Sequence, residues 1–287
     1  MATENQDSSH SLTLEKRDIS PRRDQEKYVL RLPDGLPISS VLIHDAVPGG
    51  ADRHVLSISA QAGCPLGCAF CASGAMGFLR DLSAAEIVGQ YALVKRVCGG
   101  PLTDIEFGGM GEPLLNYDAV IQSSYLLTTE AGMAPRRIVI VTSGLAPEIE
   151  RFIQEGHPFR LAISLNATTD EIRSRIMPIN RRYPLARLLD AAREYTRRTR
   201  RRIVFKYMLL DGVNDTLADA ERLKRMTRDI PCEIEAFPCV PASASPASFP
   251  GGDARSAFRP PRVERARAFL ASMSEEAMEG SLSPSRP

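Results

Sequence analysis

Cys64, Cys68 and Cys71 stand as C-x3-C-x2-C in the stretch 60–78, so half of the six cysteines in this 287-residue chain fall within eight residues. Phe70 precedes the last of these thiols. Thiolates are the usual ligands of iron–sulfur clusters, and a closed cubane takes four. Three on one short loop leave one iron without a protein ligand, and an open coordination position is what a metal site needs to bind a reactant. Gly63, Gly67, Gly74 and Gly77 allow tight turns that bring backbone N–H groups toward the cluster sulfurs. Two other readings of the same residues are a structural zinc site completed by Cys98 and plain buried thiols.

The elements that must position this loop read as strand–helix repeats. Val41–Ile43 and Val55–Ile58 are short β-branched runs, separated by a turn at 48–50. The second feeds into the cysteine loop, after which Ser83 and Glu86 form a capping box for a helix over 84–97. Strands follow at Asp104–Phe107, Arg137–Val141, Arg160–Ser164, Ile203–Met208 and Cys232–Phe237, alternating with helices at 117–130, 147–154, 170–175, 185–198 and 217–228. The strands are nearly continuous in apolar residues, as strands buried on both faces should be. Six such units predict an α/β chain with a parallel sheet, better suited to a partial (β/α)6 barrel than to a closed eight-fold one. In such a fold the catalytic groups gather at the carboxyl ends of the strands. The cysteine loop, Gly-Met-Gly-Glu-Pro (109–113), Thr-Ser-Gly (142–144) and Ser-Leu-Asn (164–166) all fall there.

Around the barrel at 25–240, residues 1–24 are polar and read as a disordered leader. Residues 241–261 read as a Pro/Ser/Ala-rich linker, and 262–278 as a terminal helix with Val263, Ala266, Phe269, Leu270 and Met273 on one face. The last nine residues read as disordered. No run reaches the roughly 18 apolar residues of a membrane helix, and the N-terminus shows no signal peptide. The reduced-thiol composition places the chain in the cytoplasm. Net charge is +1, which gives little general attraction to a polyanion such as RNA. Basic runs at 136–137, 181–182 and 197–202 read either as phosphate grips or as solvated helix ends.

The cysteine loop and the words after it resemble the radical S-adenosylmethionine (SAM) superfamily, and more narrowly its RlmN/Cfr-like group of RNA adenine methyltransferases. The resemblance is carried by Gln-Ala-Gly-Cys-x3-Cys-x-Phe-Cys (61–71), Gly-Phe-x-Arg-x-Leu (77–82), Glu-Ile-x-Gly-Gln (86–90) and Gly-Met-Gly-Glu-Pro-Leu-Leu-Asn (109–116). Thr-Ser-Gly (142–144), Met-Pro-Ile-Asn (177–180) and Leu-Asp-Gly-Val-Asn-Asp (210–215) complete it. It implies the same partial barrel, a [4Fe-4S] cluster on Cys64, Cys68 and Cys71, and SAM chelating the open iron. It also implies that Gly111 and Glu112 hold the SAM ammonium, with further contacts from Ser143, Ser164, Leu165 and Asn166. Asn166 departs from the usual histidine of that segment. An electron donor such as flavodoxin or ferredoxin is implied as a partner.

Other departures concern methyl transfer. The family moves a methyl through a cysteine near the C-terminus, and nothing beyond Cys239 is a cysteine here. A second family cysteine aligns with Ser57, the glutamate base with Ser39, and a Pro-x-Asn-Pro word with Pro238–Pro241. The family's folded N-terminal accessory domain is also expected to be missing or reduced to the polar leader. Cys239 is the one candidate substitute thiol, against the plainer reading of a buried neutral thiol. The expectation is therefore a radical SAM enzyme cleaving SAM to a 5′-deoxyadenosyl radical for hydrogen abstraction from an unidentified substrate. The alternatives are an RNA adenine methyltransferase with an altered relay and a non-catalytic iron–sulfur binding protein.

Overall fold

Residues 12–46, 51–239 and 258–274 are described in the computed structural model. They divide into two units: the described parts of Met1–Gly63 with Phe78–Ile138, and of Cys64–Gly77 with Val139–Pro287.

In the first unit, β1 (Thr13–Ile19), β2 (Gln25–Arg31), β3 (Pro37–Asp45) and β4 (Arg53–Ser57) form an antiparallel meander. The expected disordered leader thus fails over 12–24. β1 buries almost nothing, but pairing with β2 satisfies its backbone, and Arg17–Glu26 (2.7 Å) and Glu15–Arg31 (2.6 Å) bridge the two strands. β2 contributes Tyr28, Val29 and Leu30 to the core, all at most 2% exposed. Behind them Glu26 accepts from the Tyr28 hydroxyl and meets His44 Nε2 at 3.2 Å.

β5 (Gln61–Gly63) leads into the cysteine loop and the short helix α1 (Ala72–Met76), both part of the second unit, and β6 (Phe78–Asp81) pairs back with β5. α2 (Ala84–Cys98) starts at the expected capping box, in which Ser83 and Glu86 each bond the other's backbone N–H. β7 (Asp104–Phe107) runs parallel to β4, with Leu56 opposite Ile105, and α3 (Tyr117–Thr129) follows.

The second unit carries β8 (Ile138–Thr142, from Val139 on), β9 (Arg160–Ser164), β10 (Ile203–Leu209) and β11 (Cys232–Pro238), all parallel. Right-handed crossovers need helices between parallel strands, and here they are α4 (Ala146–Glu155), α5 (Asp170–Ile176), α6 (Leu185–Thr199) and α7 (Leu217–Thr227). The six strands expected from the sequence are therefore present within two residues of their expected bounds. α8 (Val263–Ser274) lies within the expected 262–278: Phe269 is buried and stacks on Tyr207 at 5.5 Å, and Met273 is buried. Val263 instead faces outward, 58% exposed, because it opens the helix rather than lying under its apolar stripe. The turn at 48–50, residues 1–11 and most of the 241–261 linker lie outside the described residues, as does the tail from 275 on. Among the described residues no helix is long and apolar enough to cross a membrane.

Candidate active site

The cysteine loop is pinned at both ends. Cys64 N donates to Gly77 O (2.9 Å), and Ala69 N donates to Ile176 O at the end of α5 (2.9 Å). Cys71 N donates to Cys68 O (3.0 Å), which folds the second and third ligand positions into one turn. Cys64 is buried, Cys68 and Cys71 are half-buried, and no disulfide joins any of the six cysteines. Among the described residues no three Cys, His, Asp or Glu side chains already converge on one point; the three thiols share one short loop. The donor set fits a [4Fe-4S] cluster: three reduced thiols, soft ligands, on one short loop held by backbone hydrogen bonds.

α5 and the turn after it form one side of what the loop rests on. Arg173 is 0% exposed. Its Nε donates to Leu165 O (2.9 Å), and its Nη2 to Ser143 O (2.7 Å) and Ser164 O (3.0 Å). Its Nη1 donates to Asn180 Oδ1 (3.1 Å). One guanidinium thus ties the ends of β8 and β9 to the Met-Pro-Ile-Asn turn. Burial pulls its pKa down to about 10, against the opposing charges of Cys68 and Asp170. Asn180 completes the brace by donating to Asp170 Oδ1 (2.9 Å) and Ser174 Oγ (2.8 Å).

Of the six residues expected to contact SAM, four belong to this frame. Ser143 and Ser164 are half-buried and lend their carbonyls to Arg173. Leu165 is fully buried. Asn166 has φ +56° and is 3% exposed; its Oδ1 accepts from Met208 N (2.8 Å) and its Nδ2 faces Met177 Sδ. Asn214 locks that residue in turn, donating to Asn166 O and Met208 O at 2.7 Å each. In its second-unit position Asn166 therefore works as a loop brace, its amide oxygen accepting and its amide nitrogen donating.

Gly111 and Glu112 lie in the first unit, just past β7. A Cβ on Gly109 would stand 2.7 Å from Ile58 C, and one on Gly111 2.5 Å from Gln61 Cβ; Gly111 also has φ +96°. Only glycine lets this turn lie so close to the backbone of 58–61. Met110 O accepts from both Ala60 N and Gln61 N, Gln61 Oε1 accepts from Glu112 N (2.9 Å), and Asn116 Nδ2 donates to Ala60 O and Leu82 O. The Glu112 carboxylate is 1% exposed and caps the following turn at Leu114 N (3.1 Å). A buried carboxylate in a tight glycine cradle fits an ammonium ligand. Gln90 performs the matching task behind β4, bonding both N–H and C=O of Ser59 at 2.8 Å.

The remaining cysteines separate by burial. Cys98 ends α2, its Sγ near Lys95 O and Gly100 O. Cys232 and Cys239 are 4% and 6% exposed, and burial pushes each thiol up to about 11. Cys239 packs in an apolar cluster with Ile176, Met177 and Leu210, against which Cys68 and Phe70 also pack. Arg173, Gln90, Asn180 and Asn214 gave little signal of their roles; three sit inside quoted words, but Arg173 reads from sequence as an ordinary helical surface cation.

The Radical SAM superfamily profile matches residues 58–223. Dual-specificity RNA methyltransferase RlmN of Geobacter sulfurreducens is 47% identical over 79% of this chain and 61% of its own length. The probable RlmN of Moorella thermoacetica is 40% identical over 91% and 72%. The crystal structure of a radical SAM methyltransferase from Sphaerobacter thermophilus superposes with a TM-score of 0.82 at 37% identity, covering 95% of this chain and 77% of that one. These matches define an α/β radical SAM protein with the superfamily's partial (β/α)6 barrel. The chain belongs to the radical SAM superfamily, in its RlmN/Cfr-like group, whose cofactors are a [4Fe-4S] cluster and SAM. It spans about three fifths of the length of the first curated relatives it matches.

Proposed function

We propose that this chain is a radical SAM enzyme in which Cys64, Cys68 and Cys71 hold three irons of the cluster and leave the fourth to SAM. When bound and reduced by a low-potential donor such as flavodoxin or ferredoxin, the cluster and SAM supply a 5′-deoxyadenosyl radical for hydrogen abstraction from a substrate. Gly111 presents its carbonyl and Glu112 its carboxylate to the SAM ammonium. Ser143, Ser164, Leu165 and Asn166 line the cofactor on the frame that Arg173 holds. A reducing compartment, the cytoplasm, keeps the three thiols available. The observation that carries this reading is the cysteine loop itself, three reduced thiols pinned at Gly77 and Ile176.

The RlmN relatives favour a second reading, methyl transfer to an RNA adenine. The surroundings of Cys239 weigh against it, since an apolar cluster and a raised thiol pKa suit a packed side chain rather than a methyl carrier. Ser57, 6% exposed, offers no resolving thiolate.

Reconstituted anaerobically, the protein is expected to be brown. With reductant and SAM it should release 5′-deoxyadenosine and methionine, without S-adenosylhomocysteine and without a protein species about 14 Da heavier, the added methylene of a covalent carrier. A methylated peptide spanning Cys239 shifts the assignment to RNA methylation. A cluster-bearing protein that releases no 5′-deoxyadenosine leaves only a binding role.

A further inference from the structure

A fully buried cation needs a compensating anion, because removing a charge from water costs several kcal/mol even after the protein relaxes around it. Arg173 lacks the usual solution. Among the described residues its hydrogen bonds all end on uncharged oxygens, three backbone carbonyls and the Asn180 amide. Asp170 is near enough to act on it, yet that carboxylate is already engaged: its Oδ1 accepts from Asn180 Nδ2 and from Leu185 N (2.8 Å). The other group that acts on Arg173 is Cys68, negative in the thiolate form a cluster ligand takes.

The turn of α5 that carries Arg173 is also the turn on which the cysteine loop sits. Ile172 and Ile176 flank the arginine in sequence and share the apolar cluster against which Cys68 and Phe70 pack. Ala69 N hydrogen-bonds Ile176 O in the same turn. The half-buried loop and the fully buried arginine are therefore held on one turn by packing and by backbone, and on the guanidinium's side there is little water to screen the charge.

We propose that Arg173 is the buried counter-charge of the cysteine-loop cluster, a positioning residue whose fixed positive charge stabilises the reduced cluster and raises its midpoint potential. The inference rests on the cluster reading above. In the step concerned, one electron passes from the external donor to the cluster; no bond forms or breaks, and Arg173 keeps its proton. A thiolate-held cluster becomes more negative by one charge on reduction, and net charge and hydrogen bonding are what tune such potentials. The four bonds of Arg173 hold the charge still, so no reorganisation accompanies the electron.

The test is an EPR-monitored redox titration of the reconstituted full chain without SAM or substrate. Arg173→Met should move the midpoint to more negative potential, while Arg173→Lys, which keeps the charge and loses most of the fork of bonds, should stay near the parent value. Asp170→Asn keeps an Oδ1 acceptor for Leu185 N and removes the competing anion, so it should move the midpoint the opposite way. An unshifted Arg173→Met protein, or Lys and Met variants shifted equally, overturns the proposal. Should Arg173→Met fail to take up a cluster, the Lys and Asn variants decide: an Asp170→Asn midpoint that does not rise, or an Arg173→Lys midpoint that falls, overturns it. A parent protein that binds no iron defeats the cluster reading instead.

Discussion

Two sets of arginines in the second unit differ in every respect that matters. The run at 197–202 reads from sequence either as a phosphate grip or as a solvated helix end, and Arg197 and Arg198 both pair with Glu194 on the exposed face of α6. Arg201 donates to His157 O and Phe159 O, and Arg202 to Cys232 O, so these two tie strand ends together. Arg173, in a seven-residue helix it shares with Arg175, is fully buried and reaches both strand ends and the Met-Pro-Ile-Asn turn. Density of charge along a sequence thus says little about electrostatic weight; burial decides it, because solvent screens the exposed set.

The largest effect expected from this contrast is on stability. Arg173→Met strips donors from the buried Leu165 carbonyl and Asn180 amide and from the half-buried carbonyls of Ser143 and Ser164, the buried ones each worth about 1–3 kcal/mol when left unsatisfied, while relief of the buried charge offsets part of the loss. A net destabilisation on the order of 3–5 kcal/mol is expected in urea titration of the apoprotein; a loss below about 1 kcal/mol removes the brace from the argument.

Glu112 carries the comparison to an anion in the first unit, buried where most carboxylates are exposed. With the role proposed above, Glu112→Ala should weaken SAM binding by roughly tenfold to a hundredfold while the cluster absorbance is retained. Equal SAM affinity in that variant by calorimetry would show that the carboxylate only caps its turn.

Burial acts on neutral groups by the same rule. Cys239 and Cys232 have thiols raised from 9.0 to about 11, so near pH 8 their thiolate fraction, and with it alkylation by iodoacetamide, should be roughly a hundredfold below that of an ordinary thiol. Because the folded-state values lie above the unfolded ones, the stability these thiols contribute is complete below about pH 9 and declines as pH rises toward 11. Rapid modification of Cys239 in the native protein at neutral pH would reopen its candidacy as a carrier. The smallest effect belongs to the exposed run: Arg197→Ala should change stability by less than about 0.5 kcal/mol, measured beside Arg173→Met.

How much of this was legible from sequence depended on the range of the interaction involved. Six strands, their helices and the Ser83–Glu86 capping box follow from local periodicity and cap chemistry, and the structure keeps them with small shifts in bounds. The cysteine spacing announced a metal site because all three donors share one short loop. β1 was missed for the converse reason: Thr-Leu-Glu-Lys-Arg-Asp-Ile reads as a solvated tail, and only its partner strand supplies the ladder and the ion pairs that hold it. Asn180 and Asn214 were visible as members of quoted words, but their work as braces was not. Arg173 was invisible. Its significance lies in contacts with residues seven to thirty positions away and in the exclusion of water around it. Residue types and spacings determined which chemistry this chain carries; desolvation, which exists only once the chain has folded, decided which of its charges can act on it.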